Sequence, residues 1–418
     1  VKRTSQPLIL FLVFLVVFIC HYRLSPTITS FDSRWSVHTA RSILKEGNTD
    51  LDEYYYLFEK NLDYSISRIN GHYYTIYPIG ASLLALPFVT LLDSAGIDVI
   101  NNEGSVQLLV ASFIVGLTAV FIYLIGKLSL RREYAMLLTF IFAFCTSAWS
   151  TASRALWQHG PSMLMLSITL YLLLLARQKP YLAQYASLPL AFAYICRPTN
   201  SLSVILLTLF VLLEYRRYFV RYLLWSALLA IPFILFNFSV YHSLLSPYYN
   251  GAEGLGFSFA TFGEGLGGTL LSPSRGLFIY SPVLLFSIWG IVLKLRQRPV
   301  EKLAYFLAGI ILLHWFTISI WRMWWAGHSY GPRIFSDMIP YLIYFMIPVL
   351  QKLETLKKPL KPVLIPLFGV LIALSFLINL RGAVSNEVYY WDWQPNEVDQ
   401  HPERLWDWND AQFLRGLK

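Results

Sequence analysis

An acid, a handful of arginines and two histidines are the residues of this sequence whose types and placement can do chemistry. Asp32 stands in Phe-Asp-Ser-Arg-Trp, shortly after the first apolar run, with Arg34 close behind. A carboxylate at the mouth of a membrane cavity can act as general base towards a hydroxyl. It can equally be the N-cap of the helix read over 33–45, which Gly47 would stop. Arg154, Arg197, Arg275 and Arg333 each stand in a short loop beside an apolar run. The planar guanidinium fork suits phosphate bidentately. The plainer alternative is that each arginine snorkels to lipid headgroups or pairs with an acid. Convergence of at least two on a bound phosphate is the sharper expectation.

Other groups are weaker signals. Asp50, Asp52 and Glu53 form a second acidic cluster. It reads as a solvated loop or a cation site, and Asp52 and Glu53 are reserve candidates for the base. His159 and His328 lie beside Gly-Pro and Ser-Tyr-Gly-Pro. Each can hydrogen-bond a sugar or phosphate, or ligate a metal with an acid from another loop. A lone histidine is more often structural, and no His-x-x-x-His spacing is present. Trp321, Trp324 and Trp325 read first as an aromatic belt and second as a stacking surface for a sugar.

The elements that must position these residues are membrane helices. Of the 418 residues 56% are hydrophobic and only 14% charged, against about 25% charged in an ordinary soluble domain. That excludes a soluble enzyme, a disordered chain and a charge-driven nucleic-acid binder. Cys20, Cys145 and Cys196 all sit in apolar runs, so a disulfide framework is excluded too. Apolar runs are read at 7–24, 105–126, 134–150, 160–176, 182–196, 201–215, 222–240, 281–293, 303–320, 336–350 and 362–380. The segment 79–93 is short, follows Pro78 and contains Pro87. It reads as an interfacial or half-inserted helix.

The net charge is +9, and more than half of the Lys and Arg fall in alternate loops if 79–93 does not cross. The positive-inside rule then puts the N-terminus in the cytoplasm and the C-terminus outside. The first run is read as an uncleaved anchor, since no small-residue cleavage site follows it. The expected fold is an all-α polytopic membrane protein with about eleven transmembrane helices and juxtamembrane helices in the first outer loop. Residues 1–380 form the transmembrane domain, which includes the outer loops 25–104 and 241–280. The Gly-rich loop 241–280 reads as a mobile linker or as a lid presenting Arg275. Residues 381–418 form an outer tail, amphipathic from about 402 on and expected on the outer leaflet.

The order of motifs resembles the GT-C superfamily of membrane glycosyltransferases. It is most similar to the branch of protein O-mannosyltransferases and lipid A aminoarabinose transferases. The residues that carry the resemblance are Asp32 and Leu44-Lys45-Glu46-Gly47, then Tyr77-Pro78-Ile79-Gly80 and Trp157-Gln158-His159-Gly160-Pro161. After them come Arg197-Pro198-Thr199, Ser272-Pro273-Ser274-Arg275-Gly276 and the run from Trp324 to Arg333. Two features depart from the family. Ser33, not a second acid, follows Asp32, and Thr75-Ile76-Tyr77 lacks the lysine that aminoarabinose-type relatives carry before the proline.

The resemblance implies an inverting transferase, with Asp32 as base and a sugar donor carried on polyprenyl phosphate. An arginine must replace the missing lysine: Arg275 or Arg333 first, then Arg197 or Arg154. Arg34, Tyr77, His159, His328 and Tyr330 are the expected substrate contacts. The acceptor is a glycan, lipid or protein, and the host membrane a bacterial inner membrane with the site facing outward. The scheme requires no cofactor, though a divalent metal is compatible with it. Nucleic acid is not a partner. Two other readings stay open: a transporter or flippase of lipid-linked sugars, and an O-antigen ligase or polymerase using diphosphate donors.

Overall fold

The computed structural model describes residues 6–26, 31–61, 64–244, 256–355 and 361–417. All eleven apolar runs are helical. A helix satisfies its own backbone polar groups, which lipid cannot do. Among the described residues, seven helical segments have the length and composition to cross a membrane: Gln6–Leu24, Glu103–Lys127, His159–Ala176, Arg216–Tyr241, Lys302–Ser319, Arg333–Thr355 and Lys361–Val384. The other four are shorter or broken. Arg132–Phe144 ends before a π-helical turn at Ala148–Ala152. A 3-10 segment, Pro180–Ala186, precedes Ser187–Cys196. Ser201–Glu214 and Leu285–Arg296 each follow a short 3-10 turn opened by a proline. Ring closure removes the N–H that a continuous helix needs there.

The helix Ile339–Thr355 is buried on nearly every face and forms the centre of the bundle. It packs against Leu285–Arg296, Arg132–Phe144 and Glu103–Lys127. Gly290 lets the Phe345 carbonyl approach so closely that a Cβ would collide with it. The polar loops gather at the two ends of the bundle. The expected half-helix is present as Gly80–Ser94 and packs on Ser36–Lys45.

Three features differ from the sequence expectation. The first loop contains an antiparallel hairpin, Ile66–Ile69 with His72–Thr75. Its turn is Asn70-Gly71, both with positive φ, the composition such hairpins favour. The Gly-rich loop is partly ordered packing. Gly251 and Gly254 lie outside the described residues, but Phe262–Leu271 is a helix. A Cβ on Gly265 would strike the Ser319 backbone, and one on Gly268 would strike the Trp324 ring. These two glycines therefore serve close approach, not mobility.

The tail is the third difference. Pro402–Trp406 is one short 3-10 turn. Trp391, Val398 and Leu405 are buried with Trp324 and Trp325. The Arg404 guanidinium donates to the carbonyls of Trp391, Gln394 and Asn396 and pairs with Asp410. Burial of those aromatics folds the tail back over the 320–333 loop.

Candidate active site

Alternation of the helices brings the loops after Leu24 and before Gly80, His159 and Arg333 to one end of the bundle. Asp32 lies there in the short helix Phe31–Arg34. Its Oδ1 accepts a 2.8 Å hydrogen bond from the Tyr77 hydroxyl. Its Oδ2 accepts a 2.6 Å hydrogen bond from Arg333 Nη1. The Asp32 side chain remains 17% exposed, enough for a small group to reach it.

Arg333 is set by its surroundings. Gly331, with φ +64, turns the chain into the 3-10 segment Arg333–Met338, and a Cβ on it would meet the Tyr280 ring. Arg333 Nη2 donates to the Ala326 carbonyl at 2.7 Å. The Trp157 ring lies 4.6 Å from the guanidinium carbon, a cation–π contact. Tyr77 is placed by Pro78 at the head of Gly80–Ser94. Three segments distant in sequence thus converge on one carboxylate.

Beneath them lies a buried polar knot. Arg197 Nε is 3.0 Å from Asp337 Oδ2 and donates to Thr199 Oγ1 at 2.7 Å. Its Nη1 contacts the His159 ring, Nε2 at 2.8 Å, and His159 Nδ1 is 3.6 Å from Asp337 Oδ1. His314 Nε2 hydrogen-bonds the Ile334 carbonyl. Arg197 and His159 therefore anchor Asp337, which sits in the turn that Arg333 begins.

The other expected site residues fall elsewhere. Arg275 uses all five guanidinium N–H groups inside the protein. It bonds the carbonyls of Trp325, Ser274 and Gly327, Gln412 Oε1, and Asp392 Oδ1 at 2.7 Å. No donor remains for a phosphate, so Arg275 fastens the tail. Arg154 is 1% exposed and bonds the carbonyls of Pro26 and Gly382. Burial pushes its pKa down to about 10. The Tyr330 hydroxyl donates to the Ile378 carbonyl, away from Asp32.

Arg34 stacks on Trp35, 5.1 Å from the ring centre, and stays half-buried. Asp52 is bound by His72 Nδ1 at 2.6 Å and by the Tyr73 N–H. Glu53 accepts from the Ser42 hydroxyl. The reserve acids are thus occupied within their own loop. His328 faces Glu397 and Asp399 of the tail.

Sequence reasoning missed two acids. Asp337 was legible as an acid within Ile334-Phe335-Ser336-Asp337-Met338. Asp392 looked like one of many tail acids, but it is fully buried against Arg275. Burial, opposed by Arg275, pushes its pKa up to about 7.

The fold of this bundle has counterparts among solved structures. The solved structures similar to this chain include ArnT from Cupriavidus metallidurans. The form bound to undecaprenyl phosphate matches with a TM-score of 0.55 at 13% identity, over 94% of this chain and 65% of that one. The apo form matches with 0.55 at 14% identity, over 92% and 64%. The chain therefore spans about two-thirds of those structures. No family model matches the sequence, and no curated protein is similar to it in sequence.

Proposed function

We propose that this protein transfers a sugar from a polyprenyl-phosphate donor to an acceptor hydroxyl at the rim that holds Asp32. The observation that carries the reading is the Asp32–Tyr77–Arg333 constellation, placed where loops of a GT-C-type bundle meet. Lys127, Arg131, Arg132, Arg177, Lys179, Arg216, Arg217, Lys294 and Arg296 lie at the opposite ends of the helices. The positive-inside rule puts that end in the cytoplasm. The Asp32 rim then faces the periplasm of a bacterial inner membrane.

Asp32 takes the proton of the acceptor hydroxyl as its oxygen attacks the anomeric carbon. The bond from that carbon to the phosphate oxygen breaks on the opposite face, so the centre inverts. Polyprenyl phosphate leaves with the bonding pair. Arg333 shares its fork between Asp32 and the phosphate and stabilises the gathering charge. Such an electrostatic donor is worth about 3 kcal/mol. Trp157 and the Ala326 carbonyl hold the guanidinium in place for that task. A small hollow lined by Pro78, Ile79, Pro198, Phe233, Phe236, Asn237 and Tyr241 opens beside Gly80–Ser94.

The test is transfer by the purified protein from a panel of polyprenyl monophosphate and diphosphate sugars. Turnover of a monophosphate donor, lost in Asp32→Asn with normal folding, supports the reading. Turnover of diphosphates alone would make the protein a ligase or polymerase. Movement of lipid-linked sugar across vesicles without transfer would make it a flippase.

A further inference from the structure

A second cluster of ligating side chains lies where the tail meets the 320–333 loop, and the proposed reaction does not use it. His328 Nε2 is 3.4 Å from Glu397 Oε1 and 3.7 Å from Asp399 Oδ2. One ligand atom from each residue lies within 4.8 Å of the other two. His328 Nε2 is sheltered from solvent and makes no hydrogen bond among the described residues. Ligand atoms about 2.0–2.1 Å from a tetrahedral zinc ion stand about 3.3 Å from one another. The two histidine–carboxylate separations are near that spacing.

Each carboxylate is held from behind. Asp399 accepts a 2.7 Å hydrogen bond from Trp325 Nε1 on Oδ1 and turns Oδ2 to His328. Glu397 accepts a 2.7 Å bond from Gln400 on Oε2 and turns Oε1 to it. Outer hydrogen bonds of this kind orient metal ligands. The Trp393 ring lies 3.9 Å from the imidazole, centre to centre. On the loop side, Ala326 and Gly327 both take positive φ, 62° and 63°. An alanine there is strained, and the turn delivers His328 to the tail.

We propose that His328, Glu397 and Asp399 bind one divalent zinc-type cation, which clamps the tail to the loop that positions Arg333. Imidazole with two carboxylates favours zinc over magnesium or calcium, which prefer all-oxygen sites. Three protein ligands leave a fourth position for water, and the residues' partial exposure gives the ion a way in. The clamp acts on the loop whose Ala326 carbonyl holds Arg333 and whose Gly327 carbonyl holds Arg275. The proposal stands independently of the reaction assigned to Asp32.

The full-length protein in detergent is stripped with chelator, then loaded with Zn²⁺ or Co²⁺. Expected are one retained Zn²⁺ per chain after dialysis and a visible Co²⁺ absorption band of a low-coordinate site. The loaded protein should also resist proteolysis within 385–417. His328→Ala and, separately, the Glu397→Gln/Asp399→Asn double variant should weaken binding about 100-fold. His72→Ala, at the other histidine–acid group, should leave it intact. Retention unchanged in both His328 and acid variants, or lost only in His72→Ala, overturns the proposal. So does the absence of stoichiometric binding in the wild type. Unfolding of one variant leaves the other to decide.

Discussion

Asp32 and Arg333 stand 301 positions apart in the chain and meet through a 2.6 Å hydrogen bond from Nη1 to Oδ2. Tyr77 closes the other side of the same carboxylate at 2.8 Å. This geometry gives the acid a fixed direction and places a cation beside it. Asp32→Asn keeps the shape and removes the proposed base. The expected loss in kcat is about 10²–10⁴-fold, with little change in KM. Tyr77→Phe removes only one orienting donor and should cost less. Steady-state kinetics with a monophosphate donor measure both; equal activity of Asp32→Asn and wild type would reassign the base.

Arg333→Lys tests the fork. Lysine keeps the charge but cannot hold Asp32, the Ala326 carbonyl and a phosphate together. The expected loss in kcat is about 10²–10³-fold, with weaker product inhibition by polyprenyl phosphate. Arg275→Lys should act differently, because that guanidinium is spent inside the tail. It should lower thermal stability and leave phosphate inhibition unchanged.

Asp337→Asn breaks the buried pair with Arg197 and leaves its cation without its counter-charge. Losing one partner of a buried pair costs about 3–5 kcal/mol. The unfolding temperature in detergent should fall accordingly. Replacing both residues by apolar ones of similar size should recover much of that loss. A wild-type unfolding temperature in Asp337→Asn would show that the pair contributes nothing.

The Gly-rich segment separates packing from flexibility. Gly268→Ala would drive a methyl into the Trp324 ring. Overpacking of this kind costs about 1–3 kcal/mol. Gly263 lies in the same helix with open space where its Cβ would be. Gly263→Ala should therefore be neutral or stabilise by up to about 1 kcal/mol. Thermal unfolding of the two variants side by side checks the contrast; equal shifts would refute it.

Asp392 gives the tail a pH dependence. Its pKa is raised from the ordinary carboxylate range to about 7, because burial outweighs the pull of Arg275. The folded form therefore holds a proton that the unfolded chain releases. Its stabilising contribution is complete below about pH 4 and is lost as pH rises to about 7. Tail protection from protease should decline over that window, and Asp392→Asn should flatten the decline. A slope that survives the substitution would place its origin in another group.

The sequence alone determined the class of the fold, because apolar runs of spanning length leave helices as the stable answer in lipid. It also marked Asp32, Tyr77 and Arg333, each by its place beside a run or a proline. The Asn70-Gly71 pair also carries the signature of the hairpin turn that the structure shows. What the sequence could not decide was which arginine faces the acid. Arg154, Arg197, Arg275 and Arg333 look equivalent along the chain, yet only Arg333 reaches Asp32. The other three are drawn off by partners that tertiary contact supplies: the Pro26 and Gly382 carbonyls, Asp337, and Asp392 with Gln412. A guanidinium goes where burial leaves it hydrogen bonds to make, and that balance exists only once the helices have packed.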